Sequence, residues 1–295
     1  MLRLENKALS LGVEPEKGGA IASLERIVGG KRTQLLYTSD GPGWTGGAPW
    51  MFPAVGRSRA DGKPGFWRLD ERIFPMPIHG FAGSQRWDGS ADGESISCRT
   101  ESGPPTRLHY PFDYTLEVVY RLSSAGLSAT VEVSAGQGNT RPMPFSLGNH
   151  LTLKAPSPKD CWLRAPASQE WLLSEAGLLT GKTRPAALGS PVLLSADRRW
   201  LDCVLSGFPP GEAWVEVVDP GSFGVRVSQR ELLDAGRPAR TRPEHFCFVF
   251  YGDASGAFFC PEPWYGRPNS LNERQGVVEL EPGGRFRWEM ALELI

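Results

Sequence analysis

The chain has 295 residues, with 32 Lys and Arg against 33 Asp and Glu, so no net field draws in nucleic acid or an anionic membrane surface. Five cysteines, at 98, 161, 203, 247 and 260, show neither the paired spacing of a zinc site nor the density of a disulfide scaffold, which fits reduced thiols. The opening MLRLENKALSLGV alternates charged and apolar residues instead of forming a secretory leader, and no apolar run is long enough for a membrane helix, so the expectation is a cytoplasmic protein whose ligand is neutral or locally charged.

GAIASLERIV (19–28) is the first strand candidate, followed by a long Gly- and Pro-rich loop over 38–66 and another over 101–114. TLEVVYRL (115–122) puts Leu116, Val118, Tyr120 and Leu122 on one face with Glu117 and Arg121 on the other, the pattern of a half-buried strand. After the turn SSAG, LSATVEVSA (127–135) repeats it, which predicts an antiparallel hairpin. QEWLLSEAGLL (169–179) is the best short helix candidate, weakened by Gly177. AWVEVVD, FGVRVS and HFCFVFYG read as further strands, and after the Pro-Gly-Gly turn at 282–284 Phe286, Trp288, Met290, Leu292 and Leu294 alternate with charged neighbours. Many short strands, no internal repeat and no linker predict an all-β fold, a large antiparallel sandwich formed as one domain by residues 1–295.

CPEPWYGRPNSLN (260–272) fixes one carboxylate, Glu262, between two prolines and beside Trp264 and Tyr265. A solvated loop carboxylate needs no such stiffness. Two of the four histidines sit in similar Gly- and Pro-flanked settings, His79 in PMPIHGFAG and His150 in PFSLGNHLTL. A His titrating near ~6.5 and a Glu near ~4.3 form a donor and an acceptor at neutral pH, so the three residues make an acid–base set.

The ordered series GGAIASL, FPAVGR, HGFAG, YPFDYTLEVVYRL, PFSLGNH and PEPWYGRPNSLN resembles the aldose 1-epimerase (galactose mutarotase) family, and within it the bacterial aldose-epimerase-like branch. The resemblance implies a β-supersandwich that interconverts the α and β anomers of a free aldose without cofactor or metal, with a small sugar as its only implied partner. It also implies roles. His150 would protonate the ring oxygen, Glu262 would take the anomeric hydroxyl proton, and His79 would hydrogen-bond the sugar near its ring oxygen. Arg57 and Asp202 would bind sugar hydroxyls. Trp264 is the favoured platform among the candidate rim aromatics Trp44, Trp50, Phe52, Trp67, Trp264 and Tyr265, because sugars pack their C–H faces on such rings. His109 and His245 match no role and read as structural.

Gly83 and Leu151 depart from the family pattern, where Arg and Pro are frequent, and leave the sugar open. A hexose-6-phosphate mutarotase is the nearest alternative, with Arg57, Arg59, Lys63 and Arg86 as possible phosphate ligands. A carbohydrate-binding or sensing protein without turnover is a second. A glycoside hydrolase fits less well, since that chemistry generally uses two facing carboxylates.

Overall fold

The structure is a computed structural model that describes every residue except 42, 156–159, 212, 222, 233–244 and 253–256. Two large antiparallel sheets make up most of it. The first has nine strands, in the order Asp88–Ala91, Ser95–Glu101, Tyr114–Leu122, Gly126–Ala135, Arg285–Leu294, Phe223–Leu232, Trp214–Asp219, Trp162–Arg164 and Val192–Leu193. The period-two pattern of its sequence becomes rows of buried side chains across paired strands. Tyr120 lies opposite Ala129 and Ala129 opposite Met290, while Val118, Val131 and Trp288 form the next row, all at 1% exposure or less.

The second sheet has eight strands: Leu179–Pro185, Gln169–Leu173, Asp202–Ser206, Phe246–Gly252, Phe258–Tyr265, Leu147–Asn149 and Trp50–Met51 in order, with Leu153–Lys154 also paired to Phe258–Tyr265. A four-stranded sheet formed by residues 2–34 completes the larger elements. The two large sheets pack face to face. Trp50 meets Trp288 edge-on at 6.3 Å and Tyr265 meets Phe286 at 4.9 Å, while the amide of Gln229 donates to the Cys247 carbonyl at 2.7 Å and accepts from the Trp288 indole at 3.2 Å.

In the second sheet the odd and even residues of Phe258–Tyr265 have opposite fates. Phe259 and Tyr265 face the sandwich core, whereas Trp264 joins a separate apolar cluster with Met51, Val55, Val204, Cys247 and Val249. This second cluster paves the outer face of the sheet, where the candidate site lies. The five cysteines are buried and, among the described residues, form no disulfide.

Residues 169–179 are not helical. They form the strand Gln169–Leu173, a turn, and the start of Leu179–Pro185. Gly177 takes a left-handed φ of 68° and its N–H closes onto the Ser174 carbonyl, so the glycine that weakens a helix makes the hairpin. Trp171, Leu173 and Leu179 pack on the second apolar cluster, and Glu170 pairs with Arg184 directly across the ladder. Partners at two-residue spacing on a ready sheet edge outweigh the weak helical pattern. The expected loops are also more ordered than their composition suggests: 38–66 contains the strand Trp50–Met51 and a small hairpin, Arg59–Ala60 with Lys63–Pro64, and 101–114 contains a helical turn, Pro104–Arg107.

Candidate active site

Leu147 pairs with Tyr265, and Leu153 pairs with Phe259. The same offset through the intervening residues sets His150 opposite Glu262. On the far side of Glu262, the N–H of Gly266 donates to the His245 carbonyl, so even-numbered amides of this strand point toward Phe246–Gly252 and odd-numbered ones point toward residues 147–154. Pro261 and Pro263 occupy odd positions, where they can sit in a central strand without breaking the ladder to Phe246–Gly252. His150 and Glu262 are thus a non-hydrogen-bonded cross-strand pair, the arrangement that brings side chains closest. Nε2 of His150 lies 3.5 Å from Oε1 of Glu262.

Both residues are shielded from water, Glu262 at 1% exposure and His150 at 7%. Burial pushes the Glu262 carboxyl well above the usual carboxylate range; the Trp264 indole N–H, donating to Oε2 at 3.0 Å, pulls the other way, and the charge of Asp202 adds to the rise. Burial also lowers the His150 imidazole to about 3, with His79 contributing. Burial therefore favours the neutral form of each group, with a proton on the carboxyl rather than on the imidazole.

His79 arrives from a tight turn. Its N–H donates to the Gly56 carbonyl at 2.9 Å, and the Gly56 N–H donates back to His79 Nδ1 at 3.1 Å. With Nδ1 accepting, the ring proton sits on Nε2, which is left to donate. The residue takes a left-handed φ of 65°, a conformation costing roughly 1–2 kcal/mol for a side chain with a Cβ, and Gly80 follows where a Cβ would stand 2.2 Å from the Phe52 carbonyl oxygen. The reciprocal bonds to Gly56 hold the strained turn. Burial, followed by the charge of Arg57, lowers His79 to about 4, so it too is neutral at pH 7. Its ring meets that of His150 edge-on at 5.3 Å and that of Trp264 at 5.6 Å.

Trp44 covers the imidazole of His150, ring centres 4.1 Å apart, and its indole N–H donates at 3.1 Å to the hydroxyl of Thr152, which in turn donates to the His150 carbonyl. Tyr251 lies 6.2 Å from His150 and is 42% exposed, standing at the outer end of the face. Asp202 pairs with Tyr251 in the neighbouring strand; partial burial raises its carboxyl, an effect that Arg57 opposes. Arg57 itself is exposed and reaches the 174–178 turn, where a Cβ on Gly177 would lie 3.0 Å from its Nε.

All six residues singled out from sequence, His79, His150, Glu262, Arg57, Asp202 and Trp264, thus fall around one region of the outer sheet face. The rim aromatics divide. Trp44 and Trp264 contact the acid–base residues, but Trp50, Phe52, Trp67 and Tyr265 belong to the sandwich core. Sequence reasoning passes over Tyr251 and Cys260; strand parity in FFCPEPWY, with 260, 262 and 264 on one face, is the signal that finds Cys260. Of the other basic candidates, Arg86 pairs with Glu16 and Arg59 lines a separate hollow with Arg68 and Arg274.

The hydrogen bond from Trp264 is the main opposition to the carboxyl's upward shift. Trp264→Phe should lower kcat/KM about tenfold and move its alkaline limb to higher pH, since a bond to a charged acceptor is worth about 1.5–3 kcal/mol. A pH–rate series on both proteins checks it; an unmoved limb would show that the indole does not tune the carboxyl.

Residues 1–235 match the sequence model of the family described as aldose 1-epimerase. The chain belongs to the aldose 1-epimerase family. Glu262 and Trp264 lie beyond the matched stretch, and the cross-strand register brings them to the family's portion of the chain. Solved structures agree in fold. A galactose mutarotase related enzyme from Lactobacillus acidophilus is similar at a TM-score of 0.82 and 18% identity, covering 100% of this chain and 97% of its own. A galactose mutarotase-like protein from Lactobacillus casei gives 0.81 at 22% identity with 100% of both chains covered. Another from Clostridium acetobutylicum gives 0.77 at 18%, covering 99% of this chain and 94% of that one. No curated protein matches the sequence.

Proposed function

We propose that this protein is an aldose 1-epimerase that interconverts the α and β anomers of a free aldose such as galactose or glucose. The observation that carries the reading is the buried pair of His150 and Glu262, 3.5 Å apart, with His79 presenting a neutral ring beside it. Mutarotation needs one proton to leave the C1 hydroxyl while another reaches the ring oxygen. Glu262 takes the first and His150 supplies the second, which leaves the carboxyl protonated and the imidazole neutral when the ring has opened. Burial favours that neutral state, so the transfers start from the carboxylate–imidazolium form, reached when the pair's one proton passes from Glu262 to His150 across 3.5 Å. Rotation about C1–C2 and the reverse transfers close the other anomer and restore both groups.

His79 donates through Nε2 toward the ring oxygen, Trp264 offers its face to the sugar, and Arg57 and Asp202 hold hydroxyls. The unit is taken to be the whole of residues 1–295, because its proton carriers come from positions 79, 150 and 262. Arg57 has support at the site while Arg59 and Arg86 are engaged elsewhere, which favours a neutral aldose over a phosphorylated one.

Pure anomers of galactose, glucose and glucose 6-phosphate, followed by polarimetry, should relax faster with enzyme, the free sugars most. A strong preference for the 6-phosphate would instead support a phosphosugar mutarotase. Sugar binding seen by saturation-transfer NMR without acceleration of any anomer would support a carbohydrate sensor and overturn the catalytic reading.

A further inference from the structure

The proton transfers leave one neighbour of the pair unused. Cys260 lies two residues before Glu262 on the same face of the strand, fully buried, its thiol directed to the Thr152 hydroxyl at 3.6 Å. The Cys260 sulfur, a ring nitrogen of His150 and a carboxylate oxygen of Glu262 all lie within 4.8 Å of one another. Tetrahedral zinc, with ligand distances of about 2.0–2.3 Å, sets its donor atoms about 3.3–3.6 Å apart. The His150 and Glu262 atoms already stand at 3.5 Å. Small rotations of the two partners and of the thiol complete the set.

We propose that Cys260, His150 and Glu262 form an inhibitory site for a zinc-class divalent cation, which shuts off the proton transfers by occupying their donor and acceptor. The donor chemistry selects the ion. Thiolate, imidazole and one carboxylate suit zinc or cadmium, whereas magnesium and calcium require a fuller shell of oxygens than these residues provide. Charge fits as well: one thiolate and one carboxylate balance a dication, and the neutral imidazole adds none, so the filled site is neutral in a buried setting. Binding forms bonds from the metal to sulfur, nitrogen and oxygen and releases to solvent the thiol proton and the proton shared by the pair. No electron is transferred. A fourth position remains for water.

The coordination stands on the geometry alone, and only its inhibitory consequence rests on the mutarotase reading. Chelator-treated protein is titrated with Zn2+ by calorimetry and with Co2+ by absorption spectroscopy. One ion should bind per chain, and Co2+ should show a thiolate charge-transfer band with tetrahedral ligand-field bands that Zn2+ removes. Cys260→Ser should lose the thiolate band, weaken zinc by at least the roughly 10–100-fold that loss of even an outer partner costs, and keep anomerisation within a few-fold while becoming zinc-resistant. His150→Asn should weaken zinc similarly, and thermal unfolding of both variants checks that they are folded. Unchanged zinc affinity in Cys260→Ser, or a six-coordinate cobalt spectrum without a thiolate band, overturns the site. Binding without any sugar turnover in the metal-free protein would sink the mutarotase reading and leave the coordination standing; turnover insensitive to bound zinc would sink the inhibitory role.

Discussion

Glu262→Gln should lower kcat/KM for anomer interconversion by about 1,000-fold or more while making the folded protein more heat-stable at neutral and alkaline pH. The loss follows from removing the proton acceptor, since a positioned acid–base group contributes about 100- to 10,000-fold. The gain in stability follows from the direction in which burial moves the carboxyl. Its folded pKa lies above its unfolded value near 4.5, so the folded state binds more protons between the two, and the wild type loses stability as pH rises through that window. Gln accepts from Trp264 through its carbonyl and carries no charge to bury. The melting temperature of the variant should therefore exceed that of the wild type at pH 8 and converge with it near pH 4. Polarimetry and thermal unfolding at several pH values measure both; a variant retaining wild-type turnover would remove Glu262 from the chemistry.

His150→Asn should abolish nearly all turnover, again by about 1,000-fold, whereas His245→Asn should leave it within a few-fold. The two histidines differ in what they face: His150 meets Glu262 on the outer sheet face, and His245 stacks on the core residue Tyr265 with ring centres 5.1 Å apart. Acid stability gives a second readout for His150. Its folded value, about 3, lies below its unfolded value of 6.5, so its contribution is present above pH 6.5 and is lost as pH falls toward 3. His150→Asn should remove part of the acid-side fall in melting temperature. Equal activity losses in the two variants would contradict the assignment.

Much of the sandwich is legible in the sequence because the alternation of a half-buried strand survives there. The segment 115–135 and the C-terminal run from Phe286 to Leu294 appear in the structure as neighbouring strands whose apolar faces coincide. The stretch 169–179 misleads because Trp171, Leu172 and Leu173 fit either period, and the sheet edge that decides between them is built by the distant strand Asp202–Ser206. The histidines and Glu262 can be picked out from their stiff Gly and Pro surroundings. Their pairing cannot, since it depends on a register between segments more than 100 residues apart. Aromatic residues mislead for a similar reason: Trp50 and Trp44 stand in one loop by sequence, yet Trp50 lies in the strand against Trp288 while Trp44 covers His150.

The two prolines flanking Glu262 have a mechanical consequence. Residues 147–154 and 258–265 are fastened together at both ends, but at 261 and 263 the second segment has no amide hydrogens to offer across the seam. The seam is partly unlaced at the very level where His150 faces Glu262. Parting the two segments at that level breaks fewer backbone hydrogen bonds than at either fastened end.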